Sequence, residues 1–116
     1  MKQEAFTMSL LFDTYGALLT EKQQTYFDLY YNQDLSLSEI AAELGVSRQG
    51  VHELLARAEA TLGEFERVTG CVAREQKLRH ALAAITAEAQ PLLQAGDPAT
   101  RQGAQRILAA VDSLKE

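Results

Sequence analysis

The 116-residue sequence predicts an all-α protein: a helix-turn-helix unit with a long fourth helix, followed by a C-terminal two-helix tail. Three observations predict it. Apolar residues recur at three- and four-residue spacing along nearly the whole chain, and no stretch alternates as a half-buried strand would. Thr20 with Gln23 and Ser36 with Glu39 have the spacing at which an N-cap and the third helical residue satisfy each other's orphan amides. Finally, Ala41 and Gly45 stand four residues apart among aliphatic neighbours, as a tight turn between two crossing helices requires.

The first helix is expected from about Thr7 to Leu18, with Met8, Leu11, Phe12, Tyr15 and Leu19 on one face. Thr20 caps the second, which turns Tyr26, Leu29 and Tyr30 inward and stops near Asn32-Gln33-Asp34. Ser36 opens a short helix through Leu44, and Gly45 ends it because a left-handed residue costs glycine no steric penalty. Ser47 caps the next helix at once. Val51, Leu54, Leu55, Ala58, Leu62 and Phe65 then form a stripe longer than a compact trihelical unit needs, and Gly70 closes it. In the tail, Leu78, Leu82, Ile85, Ala89 and Leu92 step by four and three like a coiled-coil seam. Gly96-Asp97-Pro98 reads as a C′ glycine, an N-cap and a first-turn proline, and Ala104, Ile107, Leu108, Val111 and Leu114 face the last helix. The expected division is 1–69, the helix-turn-helix domain, and 70–116, a helical hairpin that serves dimerisation or partner binding. The long fourth helix and the heptad-like tail offer more apolar length than one small core absorbs, so a homodimer is expected.

Composition narrows the class. With 47% hydrophobic and 23% charged residues, the chain is an ordinary globular protein. No run reaches the ~18–20 apolar residues of a membrane span, and Met1-Lys2-Gln3-Glu4 does not lead into an uninterrupted apolar stretch of the signal-peptide kind. Cys71 is the single cysteine, which excludes an intrachain disulfide and a cysteine-based zinc site. A cytoplasmic protein without membrane contact is expected. Net charge is −5, and residues 20–69 hold four cations (Lys22, Arg48, Arg57, Arg67) against nine anions. A domain that binds DNA mainly through phosphate attraction would be basic, so this balance weakens the sequence-independent part of binding.

The motif runs from Leu37 to Leu54, and its inter-helix core is assigned to Ile40, Leu44, Val46, Val51 and Leu54. In such a motif the second helix enters the major groove with its N-terminal residues at the base edges. Ser47, Arg48, Gln49, His52 and Glu53 are then the exposed candidates. Arg48 suits guanine and Gln49 suits adenine, each bidentately. Ser47 caps the helix or holds a phosphate, and Lys22 and Arg57 are phosphate contacts flanking the groove. Glu43, Glu53 and Glu59 lie near the same face and repel phosphate unless Arg48 or Arg57 pairs with them.

The stretches Leu11-Phe-Asp-Thr-Tyr-Gly-Ala-Leu-Leu-Thr-Glu-Lys-Gln-Gln, Asp28-Leu-Tyr-Tyr, Asp34-Leu-Ser-Leu-Ser-Glu-Ile-Ala and Val46-Ser-Arg-Gln resemble the YlxM family over about residues 8–66. These are small bacterial helix-turn-helix proteins with a trihelical core similar to region four of sigma factors. The resemblance implies a non-catalytic role tied to the signal recognition particle, whose GTPase gene the family's genes neighbour, with a regulatory or RNA-associated function. The family's Ser-Arg-Gln element falls on Ser47, Arg48 and Gln49, and its Thr-Glu-Lys-Gln element on Thr20 to Gln23. Two positions depart from its pattern. Gly50 replaces alanine, at ~1 kcal/mol of helix propensity, and Ala56 replaces a lysine that could reach a phosphate.

Other features carry ordinary readings. His52 and His80 lack neighbours at metal-ligand spacing, and no cofactor is expected. Cys71 opens a helix without a general base in view and reads as a passive side chain. Tyr26, Phe27, Tyr30 and Tyr31 could stack on unpaired RNA bases, but they occupy two helical faces, which assigns Tyr26 and Tyr30 to the core and leaves Phe27 and Tyr31 open. No phosphate loop or nucleophile elbow is present, so an enzyme is not expected. The leading expectation is an accessory protein of the signal recognition particle pathway that contacts RNA, DNA or particle components. The alternatives are a sequence-specific DNA-binding transcription regulator and a protein-interaction adaptor without nucleic acid.

Overall fold

The structure, a computed structural model, describes residues 4–115. Six α-helices account for most of them, joined by short 3₁₀ or π segments, with no strand among the described residues. The chain divides into two units, Met1–Val72 and Ala73–Glu116.

In the first unit, α1 (Ala5–Tyr15) starts where the Glu4 carboxylate accepts the amides of Phe6 and Thr7. A single 3₁₀ turn, Gly16–Leu18, replaces the last turn expected of it. The helix α2 (Glu21–Phe27) opens on the Thr20–Gln23 capping box, with both reciprocal hydrogen bonds formed, at 3.0 and 3.1 Å. It then widens into a π segment, Asp28–Asn32, and the Asp28 carboxylate accepts the side-chain amides of Asn32 and Gln33, each at 2.8 Å. These two donors, Asn32 first, hold the Asp28 carboxyl below the usual carboxylate range. Asp34 closes the segment at φ +58°, a left-handed conformation that aspartate tolerates better than most residues.

The second capping box, Ser36–Glu39, opens α3 (Leu37–Leu44). Gly45 ends it at φ +68°, and the amides of Gly45 and Val46 both donate to the Ala41 carbonyl. Ser47 then caps α4 (Arg48–Thr69), accepting the Gly50 amide at 2.9 Å, and Gly70 ends that helix at φ +64°. At ~1.5 Å per residue α4 is roughly 33 Å long, and it serves two cores in succession. Its first half places Val51 and Leu55 against Tyr26, Leu29, Ile40 and Ala41. Its second half places Ala58 and Leu62 against Leu11, Tyr15, Leu19 and Phe27, with Phe65 and Val72 at the edge. The length of α4 is therefore absorbed within its own unit and is not spare surface for a second chain, as the sequence stripe alone would imply.

One packing assignment left open is now made, and two expectations need correction. Phe27 is fully buried because Phe12 and Tyr31 stack on its ring, at centroid distances of 4.5 and 4.4 Å. Leu44 and Val46, assigned to the inter-helix core, remain 37% and 40% exposed, since the Gly45 turn carries them past the edge of the contact. Tyr30 is only half-buried, packed at the margin of the core that holds Tyr26.

The second unit is described by α5 (Cys71–Ala89), a 3₁₀ segment Gln90–Gln94 and α6 (Pro98–Ser113), capped by Asp97. Leu78 and Leu82 share a depression with Leu114, while Ile85 and Leu92 share one with Ile107, so the two helices run antiparallel. Leu82, Ala89, Ala104 and Val111 are buried. Gly96 does not take the left-handed C′ conformation expected of it. The Ala95 amide donates to the Leu92 carbonyl at 3.2 Å to close the 3₁₀ segment, and the Arg101 guanidinium donates to the carbonyls of Ala95 and Gly96, at 2.7 and 3.0 Å.

Candidate nucleic-acid interface

The turn at Gly45 and the cap at Ser47 fix where α4 begins, and the burial of Val51 and Leu55 fixes which way it faces. The residues left on the outside of its first turns are Ser47, Arg48, Gln49, His52, Glu53, Ala56 and Arg57, all exposed. The exposed surface of α4 is thus the one the helix-turn-helix geometry presents to a groove.

The candidates do not form one cluster. Lys22, from the first turn of α2, and Arg57 line a single depression together with Thr20, Gln23, Gly50, Glu53 and Leu54. Two cations separated by 35 positions are thereby brought to one side of α4. Arg48 lies in a different depression, with Tyr30, Asp34, Leu35, Ser36, Leu37 and Glu39. Gln49, His52 and Ala56 occupy the ridge between them, as their spacing around the helix requires.

The hydrogen bonds refine the roles. The Ser47 hydroxyl is engaged as the cap of α4, and its own proton is left to donate. The Gln49 amide donates to the Glu53 carboxylate at 3.4 Å, a long contact one turn along the same helix, so Glu53 holds the group assigned to adenine. The Lys22 ammonium lies 5.8 Å from the centre of the Tyr26 ring, close enough for a cation–π contact that stiffens the side chain without neutralising it. Among the described residues, neither Arg48 nor Arg57 is in an ion pair, whereas Arg67 pairs with Glu64. None of Glu43, Glu53 and Glu59 pairs with Arg48 or Arg57 among the described residues, so the condition under which they would not repel phosphate is not met; Glu59 accepts the Tyr31 hydroxyl.

The sequence pattern did not reveal two of these couplings. Tyr31 with Glu59 and Lys22 with Arg57 join distant segments, and only the packing of α2 on α4 brings them together. Gln49 with Glu53 was legible, because residues four apart on a helix are neighbours. Near the far end of α4, the buried Tyr15 hydroxyl donates to Glu66 at 2.6 Å and shares a hydrogen bond with Thr69, while Glu66 also accepts the Val72 amide. Burial first, and then the Glu66 carboxylate, raise the Tyr15 hydroxyl above its ordinary pKa. This constellation ties α1 to the end of α4 and lies away from the exposed first turns.

No group of three or more His, Cys, Asp or Glu side chains among the described residues could hold a metal ion. No helix among them is long and apolar enough to cross a membrane.

Comparison with known proteins agrees with this geometry. The profile of the family described as helix-turn-helix protein, YlxM/p13-like (UPF0122), matches residues 2–95. A UPF0122 protein of Symbiobacterium thermophilum is 47% identical over 104 residues, covering 90% of this chain and 91% of the relative. One from Halalkalibacterium halodurans is 40% identical over 116 residues, covering 99% and 100%, so the similarity continues through the tail. One from Thermoanaerobacter sp. strain X514 is 48% identical over 82 residues, covering 71% and 70%. The chain belongs to the YlxM/p13-like family of helix-turn-helix proteins.

Proposed function

We propose that this chain is a non-enzymatic, cytoplasmic regulatory or accessory protein of the bacterial signal recognition particle pathway, and that its helix-turn-helix contacts nucleic acid, with the particle's RNA as the target. The observation that carries the reading is the exposed start of α4, where Ser47, Arg48, Gln49 and His52 stand free of the core and Lys22 and Arg57 line one depression beside it. The acidic balance of residues 20–69 favours RNA over duplex DNA, because long duplex binding leans most heavily on uniform phosphate attraction. A folded RNA offers local shape and unpaired bases that a few cations and polar groups can hold. The tie to the signal recognition particle rests on the YlxM resemblance.

A second reading has its own support. Arg48 and Gln49 sit on the first turn of a helix whose geometry fits the major groove, and a sequence-specific transcription regulator would use them for base contacts.

The test is a fluorescence anisotropy titration of labelled signal recognition particle RNA against duplex DNA, at low and near-physiological salt. Saturable RNA binding that survives the salt increase, with DNA binding lost, supports the proposal. Lys22→Ala or Arg57→Ala should then reduce the slope of log affinity against log salt by about one each. Preferential duplex binding whose base preference collapses in Arg48→Ala or Gln49→Ala establishes the second reading instead. Binding to neither removes nucleic acid from the function and directs attention to protein partners.

A further inference from the structure

The π segment, the first turn of α3 and the first residue of α4 surround a depression of about 380 Å³, within the range of small-ligand pockets. Its apolar wall is Tyr30, Leu35 and Leu37, all half-buried and packed on the core that holds Ile40 and Val51. Tyr31 meets the Tyr30 ring edge-on, with centroids 5.0 Å apart, and limits its movement. The Leu35 amide donates to the Leu29 carbonyl at 3.0 Å, so the backbone that carries Asp34 is held as well.

Opposite charges share the rim of this depression. Arg48 lines it together with Asp34 and Glu39, yet among the described residues Arg48 is in an ion pair with neither. Glu39 gives one oxygen to the Ser36 amide at 2.8 Å, which anchors the carboxylate and leaves its second oxygen to accept. For a phosphate this is a poor seat, because two carboxylates face it with one guanidinium. A planar group with donors on one edge and acceptors on another, and with a face to stack on an aromatic ring, suits every feature of the depression.

We propose that this depression holds one unpaired guanine of an RNA target, and that Asp34 and Glu39 read its Watson–Crick edge. The inference deepens the RNA reading given above and rests on it. Guanine carries two adjacent donors, N1–H and N2–H₂, on that edge and two adjacent acceptors, O6 and N7, on the other. The carboxylates accept from the first pair, the Arg48 guanidinium donates to the second, and the Tyr30 ring supplies the stacking surface. Adenine and cytosine each set a single amine beside acceptors that a carboxylate repels, and uracil offers one N3–H between two carbonyls. The carboxylates that weaken phosphate attraction at this end of α4 thereby become the source of base preference. Because the Watson–Crick edge must be free, the site takes guanine from a loop, bulge or strand end and not from a duplex.

Fluorescence anisotropy of the full chain with short labelled oligouridines, carrying guanosine, inosine or adenosine at the centre, tests it at low salt. The wild type should prefer guanosine to adenosine about tenfold, and inosine, which lacks the N2 amine, should bind about three- to fivefold more weakly than guanosine. Asp34→Asn and Glu39→Gln preserve the local structure, because asparagine tolerates the left-handed backbone and glutamine serves equally in the capping box. Each variant should bind the adenosine oligomer more tightly, since a charge that repels phosphate is gone, while its guanosine preference falls to about threefold or less. Carboxylates that act only through charge would raise affinity for all three oligomers alike. That result, or a wild type that binds the three equally, overturns the guanine site and leaves the RNA reading standing. Binding to none of them overturns both.

Discussion

Gly45 offers a quantitative check on the turn that positions α4. Its φ of +68° and ψ of +35° place it in the left-handed region, and a Cβ built there meets nothing within 4 Å. Any cost of substitution is therefore backbone strain rather than collision. A left-handed conformation costs an L-residue about 1–2 kcal/mol. Replacing glycine also removes conformational freedom from the unfolded chain, which returns about 0.4–1 kcal/mol. The difference predicts that Gly45→Ala destabilises the protein by about 1 kcal/mol. Gly45→Asn should cost about half as much because asparagine visits this region several-fold more often, and Gly45→Val should cost more than 2 kcal/mol because a β-branched side chain is an outlier there. For a cooperative unit of this size, 1 kcal/mol lowers the Tm by about 4–8 °C. Urea and thermal denaturation of the full chain, followed by far-ultraviolet circular dichroism, would measure the series. If alanine proves neutral, or asparagine costs as much as alanine, the left-handed backbone does not control this turn and the argument is wrong.

Three further predictions follow from other contacts. Ile40 is fully buried between α3 and α4, so Ile40→Ala should cost about 3–4 kcal/mol, from three carbons removed and a cavity left behind; a urea-denaturation loss below about 1.5 kcal/mol would mean the site collapses freely. Glu53 lies in the depression that holds Lys22 and Arg57, and Glu53→Gln should raise nucleic-acid affinity about three- to fivefold at low salt and less at high salt; unchanged or weaker binding by anisotropy would place phosphate elsewhere. Tyr15, whose hydroxyl pKa is raised in the folded protein, should contribute stability that is complete below its unfolded pKa of about 10 and lost as pH rises through the folded value. Urea midpoints compared between pH 8 and pH 11, on approximate settings bracketing that window, should therefore fall less for Tyr15→Phe than for the wild type.

How far the sequence reveals this fold depends on how local each determinant is. The capping boxes at Thr20 and Ser36, the cap at Ser47 and the left-handed glycines at 45 and 70 all form as the spacing predicts, because donor and acceptor lie within three or four residues. Gly96 fails the same kind of reasoning because the segment before it ends as a 3₁₀ turn, Gln90–Gln94, closed one residue earlier by the Ala95 amide on the Leu92 carbonyl. Phe27 could not be assigned from periodicity, since the π segment that follows it shifts the register in which Tyr31 returns to stack on its ring. The site divides in the same way. The exposed start of α4 is legible as the complement of the Val51–Leu55 face, whereas the joint placement of Lys22 and Arg57 depends on how α2 packs against α4.

The acidic balance of the helix-turn-helix region also reads differently once its charges have positions. Of its nine carboxylates, Glu39 closes a capping box, Asp28 holds the end of the π segment, Glu66 joins Tyr15 to the Val72 amide, Glu59 accepts Tyr31 and Glu64 pairs with Arg67. Each is committed to donors that build the scaffold, and none of them lines the depression that holds Lys22 and Arg57, although Glu39 lines the one that holds Arg48. The cations are distributed in the opposite sense. Arg67 is the one of the four in an ion pair among the described residues, and Lys22, Arg48 and Arg57 stand around the exposed turns of α4. A phosphate approaching that surface meets three cations in no ion pair among the described residues, with Glu53 beside Lys22 and Arg57 and with Asp34 and Glu39 beside Arg48, while more distant charges are screened beyond about 8–10 Å at physiological salt. Net charge governs encounter at long range, and by that measure the unit exerts no general attraction on an extended duplex. Contact is governed by what lies within a Debye length, and for that reason the proposed function turns on a compact nucleic-acid target approached at close quarters.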